Sequence, residues 1–147
     1  VGAVPGALPP VMGYTAAANA VGIEAIMIFG IMFLWQLPHF LAIAWMYRED
    51  YARAGFPMLP VLDPDGSSTF RQMLIGCLAL LPMSLMPTLV GMSGTIYFWS
   101  ALILSAGFLW FALLLILRPS SGRARAMFFA SLVHLPVVLI MMLIDKV

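Results

Sequence analysis

Charge is what this sequence has least of. Only 9% of its 147 residues are Asp, Glu, Lys or Arg, against about 25% in an ordinary soluble domain. With 63% hydrophobic residues, that scarcity excludes a soluble globular protein and points to an integral membrane protein. The net charge of +1 offers no basic surface for a phosphate backbone, so no nucleic-acid partner is expected. Cysteine is nearly absent. Cys77 stands alone, which rules out an internal disulfide, and in its apolar run it reads as a small buried residue. No repeat or low-complexity tract stands out. The chain opens on Val1-Gly2-Ala3-Val4-Pro5 with no initiator Met, basic region or cleavage-like site, so nothing in these residues reads as a signal peptide. It reads as a fragment whose upstream part is missing.

Long apolar runs are what the sequence has instead. A bilayer crossing takes roughly 20 residues, and residues 25–47, 73–92, 95–117 and 126–144 each suffice. Residues 1–20 are also apolar but interrupted by Gly2, Pro5, Gly6, Pro9, Pro10 and Gly13. Proline removes donors and stops regular helix, so a broken half-helix or re-entrant piece is expected there, satisfied by protein or a wet cavity; close Gly-mediated packing accounts for the same residues. Glu24 precedes the first span, where the positive helix end favours a carboxylate. Pro82 and Pro87 are expected to kink the second span. Gly91-Met92-Ser93-Gly94 reads as a tight turn joining the second and third, and Tyr97 and Trp99 as interface aromatics. Residues 48–71 read as a polar loop containing the turn signal Asp63-Pro64-Asp65-Gly66, residues 118–125 as a short basic loop, and Asp145-Lys146-Val147 as a stub. The expected fold is an all-α integral membrane bundle, four full spans and a broken N-terminal half-helix, within a single domain.

Arg48, Arg53 and Arg71 share one loop, and Arg118, Arg123 and Arg125 share another. Two spans separate these loops, so both face one side, while the Gly91–Gly94 turn opposite has no Lys or Arg. The positive-inside rule makes loops 48–71 and 118–125 cytoplasmic in a multi-pass protein of the cell membrane.

The densest chemistry lies in Trp35-Gln36-Leu37-Pro38-His39-Phe40 and the Arg48-Glu49-Asp50 cluster that follows it. Polar and ionisable groups in a membrane helix are expensive and mark a site. On an ideal helix, Met46 and Asp50 return to the face of His39, with Trp35 close to the same stripe. Helical rise places His39 and Asp50 about 16 Å apart, provided the helix persists past Pro38. That suits a long amphipathic substrate with its apolar part in the membrane and its anionic part at the mouth. Pro38 frees the carbonyl of Leu34 for Gln36 or a ligand. A diphosphate needs Arg donors, for which Arg48 and Arg53 are candidates, or carboxylates that hold Mg²⁺, for which Glu49 and Asp50 are candidates. A full Mg²⁺ site calls for further carboxylates from elsewhere. Plainer readings account for the same residues. His39 and Gln36 can bond to neighbouring helices, Trp35 and Trp45 can be packing or belt residues, the charged cluster can be a solvated loop, and His134 a satisfied interior histidine.

Three runs in order, Pro5-Gly6-Ala7-Leu8-Pro9-Pro10-Val11-Met12-Gly13-Tyr14, Trp35 to Phe40, and Asp50-Tyr51-Ala52-Arg53-Ala54-Gly55-Phe56-Pro57-Met58-Leu59-Pro60, closely resemble the haem-farnesylating branch of the UbiA-type intramembrane prenyltransferases. The resemblance covers nearly the whole chain. It implies a fold of about nine transmembrane helices around a cavity open toward the membrane, of which this chain corresponds to the second half. The aspartate-rich motif of the first half is absent here, and so is a second aspartate-rich repeat. The Trp35–Phe40 stretch and Asp50-Tyr51 occupy that region.

The implied reaction joins the farnesyl group of farnesyl diphosphate to a vinyl group of haem b, in the bilayer, with Mg²⁺ as cofactor. It implies Arg48 and Arg53 at the diphosphate, Asp50 with Glu49 at the metal or ordering the loop, and Trp35, Gln36, His39 and Tyr51 as further substrate contacts. In that set His39 would reach haem iron or propionate. Haem A synthase or terminal-oxidase assembly would be the partners. These residues alone are expected to be inactive. Rival readings are a membrane haem carrier with His39 and His134 at matching depths as axial ligands, a transporter half, and a non-catalytic remnant.

Overall fold

In the computed structural model, which describes residues 3–147, every apolar run is helical. The described residues form α1 (Ala3–Ala18), α2 (Ile23–Met46), α3 (Arg48–Arg53), α4 (Leu59–Leu62), α5 (Ser67–Leu89), α6 (Thr95–Leu117) and α7 (Ser121–Ile144). Four of these, α2, α5, α6 and α7, are long and apolar enough to cross a membrane. Helix is what hydrocarbon demands, because each segment must pair its own backbone.

α2 packs on α1, α5 and α7, and α6 packs on α5 and α7. The spans therefore close into a ring, α2–α5–α6–α7, with α1 laid against α2. Lipid gives helices no hydrophobic reason to associate, so small residues and interhelical hydrogen bonds, each about 0.6–2 kcal/mol, hold such a ring. Between α5 and α6 the Tyr97 hydroxyl donates to the carbonyl of Ser84 at 2.8 Å. Between α6 and α7, Ser105 Oγ lies 3.1 Å from His134 Nε2. Between α2 and α7 the Trp35 indole N–H donates to the carbonyl of Ser131 at 2.9 Å. Between α2 and α5, close approach replaces the hydrogen bond: Pro38 sits against Gly76, and Met83 covers Gly30.

Several expectations change. Residues 3–18 are one continuous helix with Pro9 and Pro10 inside it; Val1 and Gly2 lie outside the described residues. Each of those prolines removes one backbone bond, and packing on α2 keeps the segment helical. Pro38, Pro82 and Pro87 likewise lie within unbroken helices. Residues 67–71 and 121–125, expected as loop, are the first turns of α5 and α7, and residues 48–53 and 59–62 coil into short helices. Side-chain capping explains the extensions. Asp63 Oδ2 accepts from the Thr69 N–H at 2.8 Å and the Thr69 hydroxyl at 3.0 Å, and Ser120 Oγ accepts from the Arg123 N–H at 3.2 Å.

Tyr97 is a core residue, 0% exposed, rather than an interface aromatic, because its hydroxyl finds a buried partner; Trp99 is 57% exposed. The C-terminal stub is a cap. Asp145 accepts from the N–H of Tyr97 at 2.7 Å with its carboxylate and from that of Gly94 at 2.8 Å with its carbonyl. The turn before α6 places Gly91 at φ 76°, a left-handed conformation glycine adopts freely. Cys77 is buried.

Candidate functional site

Trp35 and His39 stand one turn apart on α2, both buried. Their rings stack at 4.5 Å with 19° between planes. Phe128 of α7 covers the imidazole as well, at 5.2 Å and 28°, and Phe40 meets its edge at 5.4 Å. Ser131 ties this group to α7. Its carbonyl takes the Trp35 N–H, and its hydroxyl lies 2.6 Å from His39 Nδ1. Neither Ser131 nor Phe128 was singled out from the sequence. A serine in an apolar span is a visible signal, but its pairing with a histidine on another helix is not.

Gln36 is 3% exposed and packs against α1, where its amide occupies the space a Cβ on Gly6 would need. Among the described residues neither its Oε1 nor its Nε2 has a hydrogen-bond partner, so the expected bond to the Leu34 carbonyl is not made.

α2 persists through Pro38 but ends at Met46, where the apolar run ends and Tyr47 leaves the helix at φ −107° and ψ 20°. The stripe of Trp35, His39 and Met46 therefore stops short of Asp50. Asp50 lies on α3, exposed, in an ion pair with Arg53. Arg48 and Arg53 are five residues apart on α3, roughly 140° around the helix, and do not converge. The Arg48 guanidinium stacks 4.1 Å over the Trp45 ring. It also lines two cavities, one of about 260 Å³ with Glu49, Ala52, Pro60 and Pro64, the other of about 230 Å³ with Trp45, Asp65, Pro119 and Ser120. The second spans both basic loops, which puts them at one end of the ring. Arg53 lines neither of these cavities. Tyr51 is half-buried beside Phe56, at 6.5 Å between ring centres.

Among the described residues no three of His, Cys, Asp and Glu gather as metal ligands. Asp50 is committed to Arg53, and Glu49 is its only acidic chain neighbour. Glu49 and Asp50 therefore do not make a closed ligand set by themselves, and could hold Mg²⁺ only together with oxygens of the diphosphate and water. The two histidines face different interfaces. His134 Nε2 is engaged by Ser105, its Nδ1 is buried with no partner among the described residues, and Phe108 lies 5.4 Å from the ring. His134 therefore offers no open nitrogen, and the geometry gives no support to axial ligation of one haem by both residues. At the mouth, the Thr69 N–H holds the Asp63 carboxyl below the usual aspartate range.

The UbiA prenyltransferase family matches residues 1–133. A protoheme IX farnesyltransferase of Solibacter usitatus (strain Ellin6076) is 51% identical over 146 residues, covering 99% of this chain and 50% of the relative. Proteins of the same name from Koribacter versatilis (strain Ellin345) and Salinibacter ruber (strain DSM 13855 / M31) are 45% and 42% identical, each over 99% of this chain and over 49% and 51% of their own length. The chain thus spans about half the length of the curated relatives it matches. No solved structure matches it.

Proposed function

This chain belongs to the UbiA prenyltransferase family, and on that footing we propose that it serves transfer of the farnesyl group of farnesyl diphosphate to a vinyl group of haem b, giving haem O and diphosphate. The name its relatives carry, protoheme IX farnesyltransferase, supports the reaction. The observation that carries the reading here is the join of α2 to α3: α2 bears the buried aromatic wall around His39, and Arg48, which opens α3 just past the end of α2, stacks back on Trp45 of α2. Helical rise from His39 to the end of α2 at Met46 covers roughly 10 Å, room for an apolar chain whose anionic head stays at the mouth.

The chemistry follows from charge. The allylic C1–O bond of farnesyl diphosphate breaks, and the diphosphate leaves with the electron pair. Guanidinium donors stabilise the charge that collects on it. We assign this to Arg48 first, held flat on Trp45, and to Arg53 once it leaves Asp50. The vinyl π pair of haem b attacks C1. Water captures the cation left beside the porphyrin ring and releases a proton, which completes the hydroxyl group. Trp35, Phe40 and Phe128 supply aromatic faces that favour a cation and keep water away until the new bond forms. His39 contacts haem iron or a propionate, and Gln36 and Tyr51 complete the substrate contacts. Mg²⁺ would neutralise diphosphate charge when bound, with Glu49 and Asp50 as the candidate carboxylates of this chain and further oxygens from the diphosphate.

By loop charge, we place both basic loops on the cytoplasmic side of the cell membrane, with haem A synthase or terminal-oxidase assembly receiving the product. The test supplies haem b, farnesyl diphosphate and Mg²⁺ to membranes holding the protein at its natural length and follows haem O by mass. Product that falls with Arg48→Ala and with His39→Ala supports the reading. Absence of product, or product unchanged in both variants, overturns it.

A further inference from the structure

We propose that Ser131 is a positioning residue that fixes the tautomer of His39 and thereby presents the Nε2 lone pair to the porphyrin substrate. The inference rests on the haem reading above, but its structural part stands on proton counting. Ser131 Oγ lies 2.5 Å from the carbonyl oxygen of Phe128, which can only accept. A serine hydroxyl has one proton, and that contact uses it. At the 2.6 Å contact with His39 Nδ1, Oγ therefore accepts, and Nδ1 carries the hydrogen. In a neutral imidazole the other nitrogen is then the acceptor. Among the described residues Nε2 of His39 has no hydrogen-bond partner.

Stacking holds the plane of the ring, and the Ser131 contact selects the edge that carries Nδ1, since a ring turned over would set a carbon against Oγ and lose the bond. Trp35 stacks on it at 4.5 Å and Phe128 at 5.2 Å, and Trp35 is itself pinned by the Ser131 carbonyl at 2.9 Å. One residue of α7 thus sets the ring's proton and edge with its side chain and, by pinning Trp35, the ring's plane with its backbone. The other histidine shows the contrast. At His134 the serine partner, Ser105, takes Nε2 and the remaining nitrogen is enclosed. Groups that hold the far nitrogen of a histidine govern what the near one binds, and their loss costs about ten- to a hundredfold in affinity at metal sites.

The test uses the protein at its natural length in lipid bilayers, labelled with ¹⁵N-histidine, as wild type, Ser131→Ala and Ser131→Thr. The signal lost in His39→Gln identifies His39, and helical circular dichroism checks that each variant folds. Wild type and Ser131→Thr, which keeps the hydroxyl, are expected to carry the proton on Nδ1. Ser131→Ala is expected to mix or exchange the tautomers. Haem b titrated into the same samples should show its absorption shift in wild type and Ser131→Thr, with affinity about ten- to a hundredfold weaker in Ser131→Ala. A wild-type proton on Nε2, an unchanged tautomer in folded Ser131→Ala, or unchanged haem affinity in that variant overturns the proposal. Should Ser131→Ala not fold, the wild-type tautomer and its retention in Ser131→Thr still decide it. A wild type protonated on Nδ1 that takes up no haem b overturns the haem reading beneath it.

Discussion

Pro38 of α2 stands against Gly76 of α5, its Cδ 3.0 Å from the point a Cβ on Gly76 would occupy. A proline ring is closed onto its own backbone and cannot swing aside, so the helices must separate to admit a side chain. Gly76→Val is expected to destabilise the fold by about 1–3 kcal/mol, the usual cost of overpacking, with Gly76→Ala smaller in the same direction. Thermal unfolding in detergent measures both. An unchanged melting temperature for Gly76→Val would show that α2 and α5 do not approach this closely.

Asp63 gives a pH dependence with a definite sign. Its carboxyl is held below the usual range first by the Thr69 backbone N–H, with the Thr69 hydroxyl, the Ser68 backbone and Arg71 adding and burial opposing. A depressed folded value adds stability above the unfolded value and loses it as pH falls through the folded one. Amide protection in the first turn of α5 is expected to decline from about pH 4 downward, and Asp63→Asn should flatten that decline. Hydrogen exchange at Thr69 and Phe70 checks this; protection equally pH-dependent in the variant would assign it to another group.

Arg48 and Arg53 separate the two ways the mouth can hold a diphosphate. Arg48 is braced on Trp45 and lines both cavities, whereas Arg53 is paired with Asp50. On the proposed function, Arg48→Ala should raise KM for farnesyl diphosphate by about tenfold, the equivalent of one charge-assisted hydrogen bond. Arg48→Lys should recover part of it, since the charge stays but the flat stacking is lost. Asp50→Asn, which frees Arg53, should leave KM unchanged or lower it. Steady-state haem O formation decides, and an Arg53→Ala effect larger than that of Arg48→Ala would reverse the assignment.

The spans were legible because hydrophobic length is a one-dimensional property, and residues 95–117 fold as α6 with those bounds. The ends of α5 and α7 were not, because their extra turns depend on Asp63 and Ser120 reaching back to particular N–H groups. The buried role of Tyr97 was hidden by its place near a helix start, where an aromatic also suits an interface. At the site, the Trp35–His39 stack follows from spacing, and the end of the apolar run near Tyr47 is the break that removes Asp50 from that face, which an ideal helix carried on to Asp50 overlooks. Ser131 lies far from His39 in sequence and meets it only because α2 and α7 close the ring.

Gln36 poses a sharper question, because a membrane interior penalises an amide with no partner. Burying such a group unpaired costs about 1–3 kcal/mol, and both of its polar atoms are in that state beside Gly6. If substrate supplies the missing partner, Gln36→Leu should raise the stability of the substrate-free protein by about that amount while lowering haem O formation. Stability and activity then move in opposite directions. If the amide is instead glue between α1 and α2, both fall together. Melting temperature without substrate, set beside turnover, separates the cases. Gly6→Ala, which forces the Gln36 amide out of its place, should lower turnover without the gain in stability, because it displaces the amide but leaves it in the protein.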